Sequence, residues 1–316
     1  MFKLIAIGLF SGLFFSTTFI LNRLMSLEGG HWVWSASLRY AYMILFLLAG
    51  ITVFQGRSTI RNVLSLFRRY WLFWIISGSI GFGGFYSLLC FSADHAPGWI
   101  VATTWQLTII ASLVVLIAFG RSFPKKIWLF SLIVFSGVLL VNLSQFDTGQ
   151  EQDLLMGALA VLLAAFCYPT GNQLVWEAQN GNRFLPRIQS SYLDNPFNKV
   201  FLLSLGSLPF WCLLAGLVAP ALPSRGQLAN TALVAFFSGI CATSLFLYAR
   251  SRSRRASELA AVDATQSSEV VFALIGEMLL LNAPMPTAMA VAGVVLVFAG
   301  LALFIHYQET EVAGSE

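Results

Sequence analysis

Ten apolar blocks, each long enough to cross a bilayer, follow one another along this chain and restrict it to one broad class of fold. They cover approximately residues 2–21, 31–54, 70–91, 97–119, 127–143, 154–176, 200–219, 228–248, 259–281 and 286–307. A span of about 20 apolar residues suffices for a transmembrane helix. The blocks lack the alternation of a barrel strand and the one-sided stripe of a soluble amphipathic helix. Composition agrees, since 58% of the 316 residues are hydrophobic and only 10% are charged, against about 25% charged in soluble domains. The sequence therefore predicts an all-α polytopic membrane protein with ten transmembrane helices. The first block follows a single Lys3, has no clear small-residue cleavage site and precedes nine others, so it reads as a retained helix.

The formal net charge of +4 does not point to nucleic acid, because topology accounts for it. Fifteen of the 18 basic residues fall at the N-terminus or in alternate loops, among them Arg57, Arg61, Arg121, Arg183, Arg250 and Arg255. Only Arg23 and Arg225 lie on the other side, and Arg39 lies within a span. The positive-inside rule then puts both termini in the cytoplasm of a multi-pass protein of the cell (plasma) membrane. The acidic loop from Gln145 to Asp153 faces outward, and residues 308–316 read as a polar, disordered cytoplasmic tail. Cys90, Cys167, Cys212 and Cys241 all lie in apolar spans and read as buried thiols. The three histidines are scattered and no phosphate-binding glycine loop is present, so neither a metal site, a cofactor nor ATP hydrolysis of that kind is expected.

The acidic loop separates five spans (1–150) from five more (151–307). An odd number per half inverts the second relative to the first, and the sequence carries a trace of that relation. Offset by 163 residues, "QLTIIASLVVLIAFGRSFPKKIWLFSLIVFSGVLL" lies ungapped on "EVVFALIGEMLLLNAPMPTAMAVAGVVLVFAGLAL". Gln106 then meets Glu269, and Gly137 meets Gly300. Two inverted five-helix repeats are typical of transporters that bind their solute near the midplane between the halves.

Ionisable groups at membrane depth are costly and need a partner or a task. The segment "VDATQSSEVVFALIGEMLLL" holds three. At a rise of about 1.5 Å per residue, Asp263 lies ~6 Å from the inner end, within reach of the Arg250–Arg255 cluster. Glu277 lies roughly 7 Å below the outer end and Arg39 roughly 10 Å below its own, depths that allow a structural ion pair. Glu269 lies about 16 Å deep, where no span offers a cation. A carboxyl group that holds a proton in a dry site and releases it in a wet one suits proton exchange, and a neutral acid bonded to a neighbouring polar side chain is the structural alternative. Trp105 and Gln106, in the repeat partner of that span, and Tyr168 and Asn172, beside Pro169 and Gly171 in "CYPTGNQ", are candidates to share its cavity. Pro169 and Gly171 predict a kink or unwound stretch there, whereas "GSIGFGG" and the Gly8/Gly12 pair predict close helix packing.

The stretches "WVWSASLRY", the acidic segment above with its closing Gly-Glu, and "GVVLVFAGLAL" resemble the drug/metabolite transporter superfamily. Within it, the ten-helix putative multidrug resistance efflux transporter family is the most similar, over nearly the whole chain. The resemblance implies a transporter, not an enzyme. In small four-helix relatives a first-helix glutamate carries proton and drug, whereas the first helix here offers Thr17, Thr18 and Asn22. Exchange of protons for a small organic solute, a lipophilic cation or drug among the candidates, would then fall to Glu269. The alternatives are an uncoupled metabolite or amino-acid exporter and a membrane-embedded enzyme or lipid-handling protein with Asp94 and His95 as its candidate groups. With both halves in one chain, a monomer suffices and a homodimer is compatible.

Overall fold

The computed structural model describes residues 2–121, 123–145, 151–181, 184–253 and 256–313. Among them every regular element is helical, and nine helices are long and apolar enough to cross a membrane. Helices α1 (Phe2–Leu27) and α2 (Trp32–Gln55) are continuous. The next span is α4 (Trp71–Gly78), a π-helical segment Ser79–Gly84 and α5 (Phe85–His95). It is followed by α6 (Gly98–Trp105) with α7 (Thr108–Ala118), then α8 (Lys125–Leu143), α9 (Glu151–Asn180) and α10 (Pro196–Val218). Helix α11 (Arg225–Val234), a second π-helical segment Ala235–Ala242 and α12 (Thr243–Arg252) make the eighth, and α15 (Ala288–Ala313) the last.

The ninth expected block, 259–281, is helical but interrupted. Helix α13 (Ala256–Ala264) passes through a 3-10 turn at Thr265–Ser267 into α14 (Ser268–Leu280), and neither piece alone has the length of a span. Large apolar side chains such as Leu45, Leu132, Leu163, Leu213 and Val295 are exposed around the outside of the bundle. So much outward apolar surface is unsuited to water and suits lipid. The chain is a multi-pass membrane protein. Cys212 is on that outer face, contrary to the reading of all four thiols as buried, whereas Cys90 is buried.

Small residues set the closest helix approaches. A Cβ at Gly81 would lie 2.8 Å from the Cα of Gly171, so α9 crosses the first π segment at backbone distance. Gly78 likewise meets α10 near Gly206, as the glycine-rich stretch predicted. Helix α9 stays continuous through Pro169 and is not unwound there, and Gly171 serves that crossing. In α8 and α15, a Cβ at Gly293 would lie 2.7 Å from the Gly137 carbonyl oxygen and 2.9 Å from the Val141 nitrogen. Both obstacles are backbone, so Gly293→Val must push the helices apart. It is expected to cost about 1–3 kcal/mol of stability, read as a lowered unfolding midpoint in detergent, with Gly216→Val, whose Cβ meets nothing within 4 Å, as control.

Two connections carry structure that hydropathy did not reveal. The basic stretch after α2 is an amphipathic helix, α3 (Arg57–Arg69), with Val63 fully buried and arginines at both ends. The connector between α9 and α10 docks on it. Ile188 and Leu193 are buried, and Asn62 Nδ2 donates to the Tyr192 hydroxyl at 2.6 Å. Arg183, Arg254, Arg255 and residues 146–150 of the acidic loop lie outside the described residues, as do 314–316 of the expected tail, while α15 remains helical to Ala313.

Candidate functional site

Where two broken helices meet, the chain places Glu269, the acid that residue counting puts nearest mid-span. Helix α6 ends at Trp105, and Gln106 and Leu107 form a turn before α7, their N–H groups donating to the Thr103 and Thr104 carbonyls. Facing it, the 3-10 turn Thr265–Ser267 precedes α14, whose second residue is Glu269. Gln106 Nε2 donates to Glu269 Oε1 at 2.8 Å and lies 3.3 Å from the Ala102 carbonyl. Both side chains are buried, Glu269 at 7% exposure and Gln106 at 6%. Glu269 forms no ion pair among the described residues. Helix α1 comes close enough to support the break because Gly12 leaves room, a Cβ there falling 3.1 Å from the Thr265 carbonyl oxygen. Irregular backbone at membrane depth is tolerated where it is buried in protein or lines a cavity, and here it does line one.

That cavity is about 730 Å³, within the range that encloses small organic ligands. Glu269 and Gln106 form part of its wall, and Trp105 and Tyr168 are brought to it as expected. Phe85 sits between the last two, with ring centroids 4.8 Å from Trp105 and 5.1 Å from Tyr168. Tyr40 and Phe82 extend the aromatic surface, stacked at 5.1 Å. Asn172 is not brought in. Its Nδ2 donates to the Tyr168 carbonyl one turn back on an exposed face of α9. At one end the cavity reaches Asp263 and Arg250, which form an ion pair at 3.0 Å with both partners partly exposed, so Asp263 meets the basic cluster.

The paired depths of Glu277 and Arg39 do not make an ion pair. Glu277, 1% exposed, accepts from the backbone N–H groups of Gly98 at 2.6 Å and Trp99 at 3.3 Å. It caps α6 from outside, supplying an anion to unsatisfied donors at a helix N-terminus. Pro97, at the cap position itself, offers no side-chain acceptor. Arg39 instead lines the cavity, with its guanidinium carbon 4.0 Å from the Tyr86 ring centroid and Nη2 donating to Ser238 Oγ at 3.2 Å. Removing a cation from water costs several kcal/mol, whereas a desolvated ring face returns about 2 kcal/mol. Sequence reasoning matched the two residues by depth alone, which carries no information on azimuth. At the opposite loop, His95 Nδ1 lies 3.2 Å from Asp153 Oδ1.

A model of the family described as "EmrE: Putative multidrug resistance efflux transporter" matches residues 2–310. The chain belongs to this family. Among relatives of this EmrE-like transporter is the uncharacterized protein YjlA of Bacillus subtilis (strain 168), 38% identical over 95% of this chain and 94% of its own. Another is an uncharacterized 42.1 kDa protein in the intracellular alkaline protease 3'region of Shouchella clausii, 33% identical over 84% of this chain and 70% of its own. A crystal structure of a further protein is similar over 95% of both chains, with a TM-score of 0.59 and 15% identity, a likeness of fold alone. The family is one of membrane transporters, and the aromatic-walled cavity of the EmrE-like chain is of a size that encloses small organic ligands.

Proposed function

We propose that the chain is a secondary exporter of a small organic solute, exchanging it for protons at Glu269 by alternating access about a site between two inverted halves, 1–150 and 151–307. The observation that carries this reading is the burial of Glu269 in the cavity wall with a neutral partner, Gln106, and no cation paired to it among the described residues. Protonated, the acid is compatible with a dry site. Ionised, it attracts a positively charged or hydrogen-bond-donating group of the solute, so proton and solute compete for one position. Trp105, Phe85 and Tyr168 supply rings for a flat or cationic body to pack on.

Pairing of irregularities along the chain supports the two-half arrangement. The third and eighth spans each contain a π-helical segment, and the fourth and the interrupted ninth block each break near mid-depth. Gln106 and Glu269, equated by the 163-residue offset, are hydrogen-bonded, as positions on a pseudo-twofold axis would be. With basic loops in the cytoplasm of a plasma-membrane protein, the Arg250–Asp263 end of the cavity faces inward.

The test is transport in proteoliposomes. A pH gradient is expected to drive solute movement against its own gradient. Movement that ignores every pH gradient would leave an uncoupled metabolite or amino-acid exporter, and no movement of any candidate solute would end the transport reading.

A further inference from the structure

We propose that the exported solute carries a carboxylate or an equally compact anionic group, and that Arg39 is the residue that binds it. The inference rests on the transport reading for the site and adds the chemistry of its occupant. Arg39 is 9% exposed and lines the cavity, yet its Nε has no hydrogen-bond partner, and the guanidinium forms no ion pair among the described residues. A guanidinium presents five donors in a planar fork that matches a carboxylate. Here one of them reaches Ser238.

The surroundings hold Arg39 in place without neutralising it. Tyr86, which the guanidinium overlies, has its hydroxyl bonded to Asn22 Nδ2 at 3.0 Å. Ser238 Oγ, which accepts from Arg39, also accepts from Thr18 Oγ1 at 2.6 Å. Thr18 and Asn22 of α1 thus brace the two groups that orient the arginine. The acid whose depth matches Arg39, Glu277, is occupied by the backbone of α6. A ring face and a hydroxyl offset part of the cost of burying a cation, and neither cancels its charge. A braced cation on the wall of a ring-lined cavity, with its buried Nε unpaired, is complementary to an anionic group of a bound solute.

Glu269 and Gln106 line the same cavity as Arg39. A flat solute with a carboxylate at Arg39 and an amine or other donor at Glu269 meets both polar sites and leaves the occupied cavity neutral. A plain lipophilic cation would leave Arg39 uncompensated and add like charge beside it.

The experiment compares three ring compounds of matched shape, para-aminomethylbenzoate, para-methylbenzoate and para-methylbenzylamine, titrated calorimetrically into the full-length chain in detergent. Both carboxylates are expected to bind more tightly than the amine. Arg39→Gln is expected to weaken the two carboxylates at least about tenfold while sparing the amine, with Arg39→Lys recovering part of the loss. Tightest binding of the amine to wild type, equal weakening of all three by Arg39→Gln, or binding of none would overturn the proposal. Should the Arg39 variants fail to fold, the order of affinities in wild type decides by itself. Carboxylates bound in the expected order, with no proton release on binding of para-aminomethylbenzoate, would uphold the Arg39 assignment and remove only the exchange at Glu269.

Discussion

Glu269→Gln is expected to abolish solute-dependent proton release while leaving the fold intact. Wild-type protein in weakly buffered detergent should release about one proton per amine-bearing solute bound, as linkage requires when a single carboxyl group loses its proton on binding. The variant should release none. Glutamine has the shape of the protonated acid and can still meet Gln106, which donates to Glu269 Oε1 at 2.8 Å. The unfolding midpoint should therefore move little, and a large fall would mean that the carboxylate form is a structural element. In proteoliposomes the same variant should lose uphill export altogether and keep, at most, downhill exchange of solute. Equal proton release from both proteins would remove Glu269 from the mechanism.

Glu277→Ala is expected to show the opposite pattern, a loss of stability with the activity of the folded fraction retained. Glu277 is 1% exposed, and its two oxygens accept from Gly98 and Trp99 in the first turn of α6. Hydrogen bonds to a charged group contribute about 1.5–3 kcal/mol, and a buried donor left without an acceptor adds its own desolvation cost. The substitution should thus cost about 3 kcal/mol, lowering the unfolding midpoint by roughly 4–5 °C for a chain of this size. Glu277→Gln, which keeps one carbonyl acceptor, should recover about half of that. Specific export per folded molecule should be close to wild type for both. Preserved stability with lost transport would instead make Glu277 a working group.

These two carboxyl groups lie two helical turns apart on α14, and they illustrate what could be read in advance. Depth along a span follows from counting residues, because a helix advances a fixed distance per residue. Counting isolated Glu269 as the mid-depth acid without a cation, and put Asp263 near the basic cluster, where it pairs with Arg250. Counting also matched Glu277 to Arg39, and there it failed. Two helices with groups at equal depth need not face each other, and a backbone N-terminus that seeks an anion leaves no mark in hydropathy. Asn172 failed for a similar reason. Asn172 shares a helix face with Tyr168 one turn away, but its amide bonds its own helix at the Tyr168 carbonyl and does not enter the cavity.

The sequence by itself determined the class of protein, since ten apolar blocks with few charges admit a helical membrane bundle and little else. It also located Glu269 and, through the 163-residue offset, equated it with Gln106. Only the tertiary structure decided that these two side chains touch, that both of their helices break at that point, and that Trp105 and Tyr168 share one cavity. It also separated Arg39 from Glu277, leaving the arginine on the cavity wall. The physical reason is that burial in lipid depends on composition summed along a segment, which is local. Which donor meets which acceptor depends on helix rotation and on close approaches such as Gly81 to Gly171, which pair residues far apart in the chain.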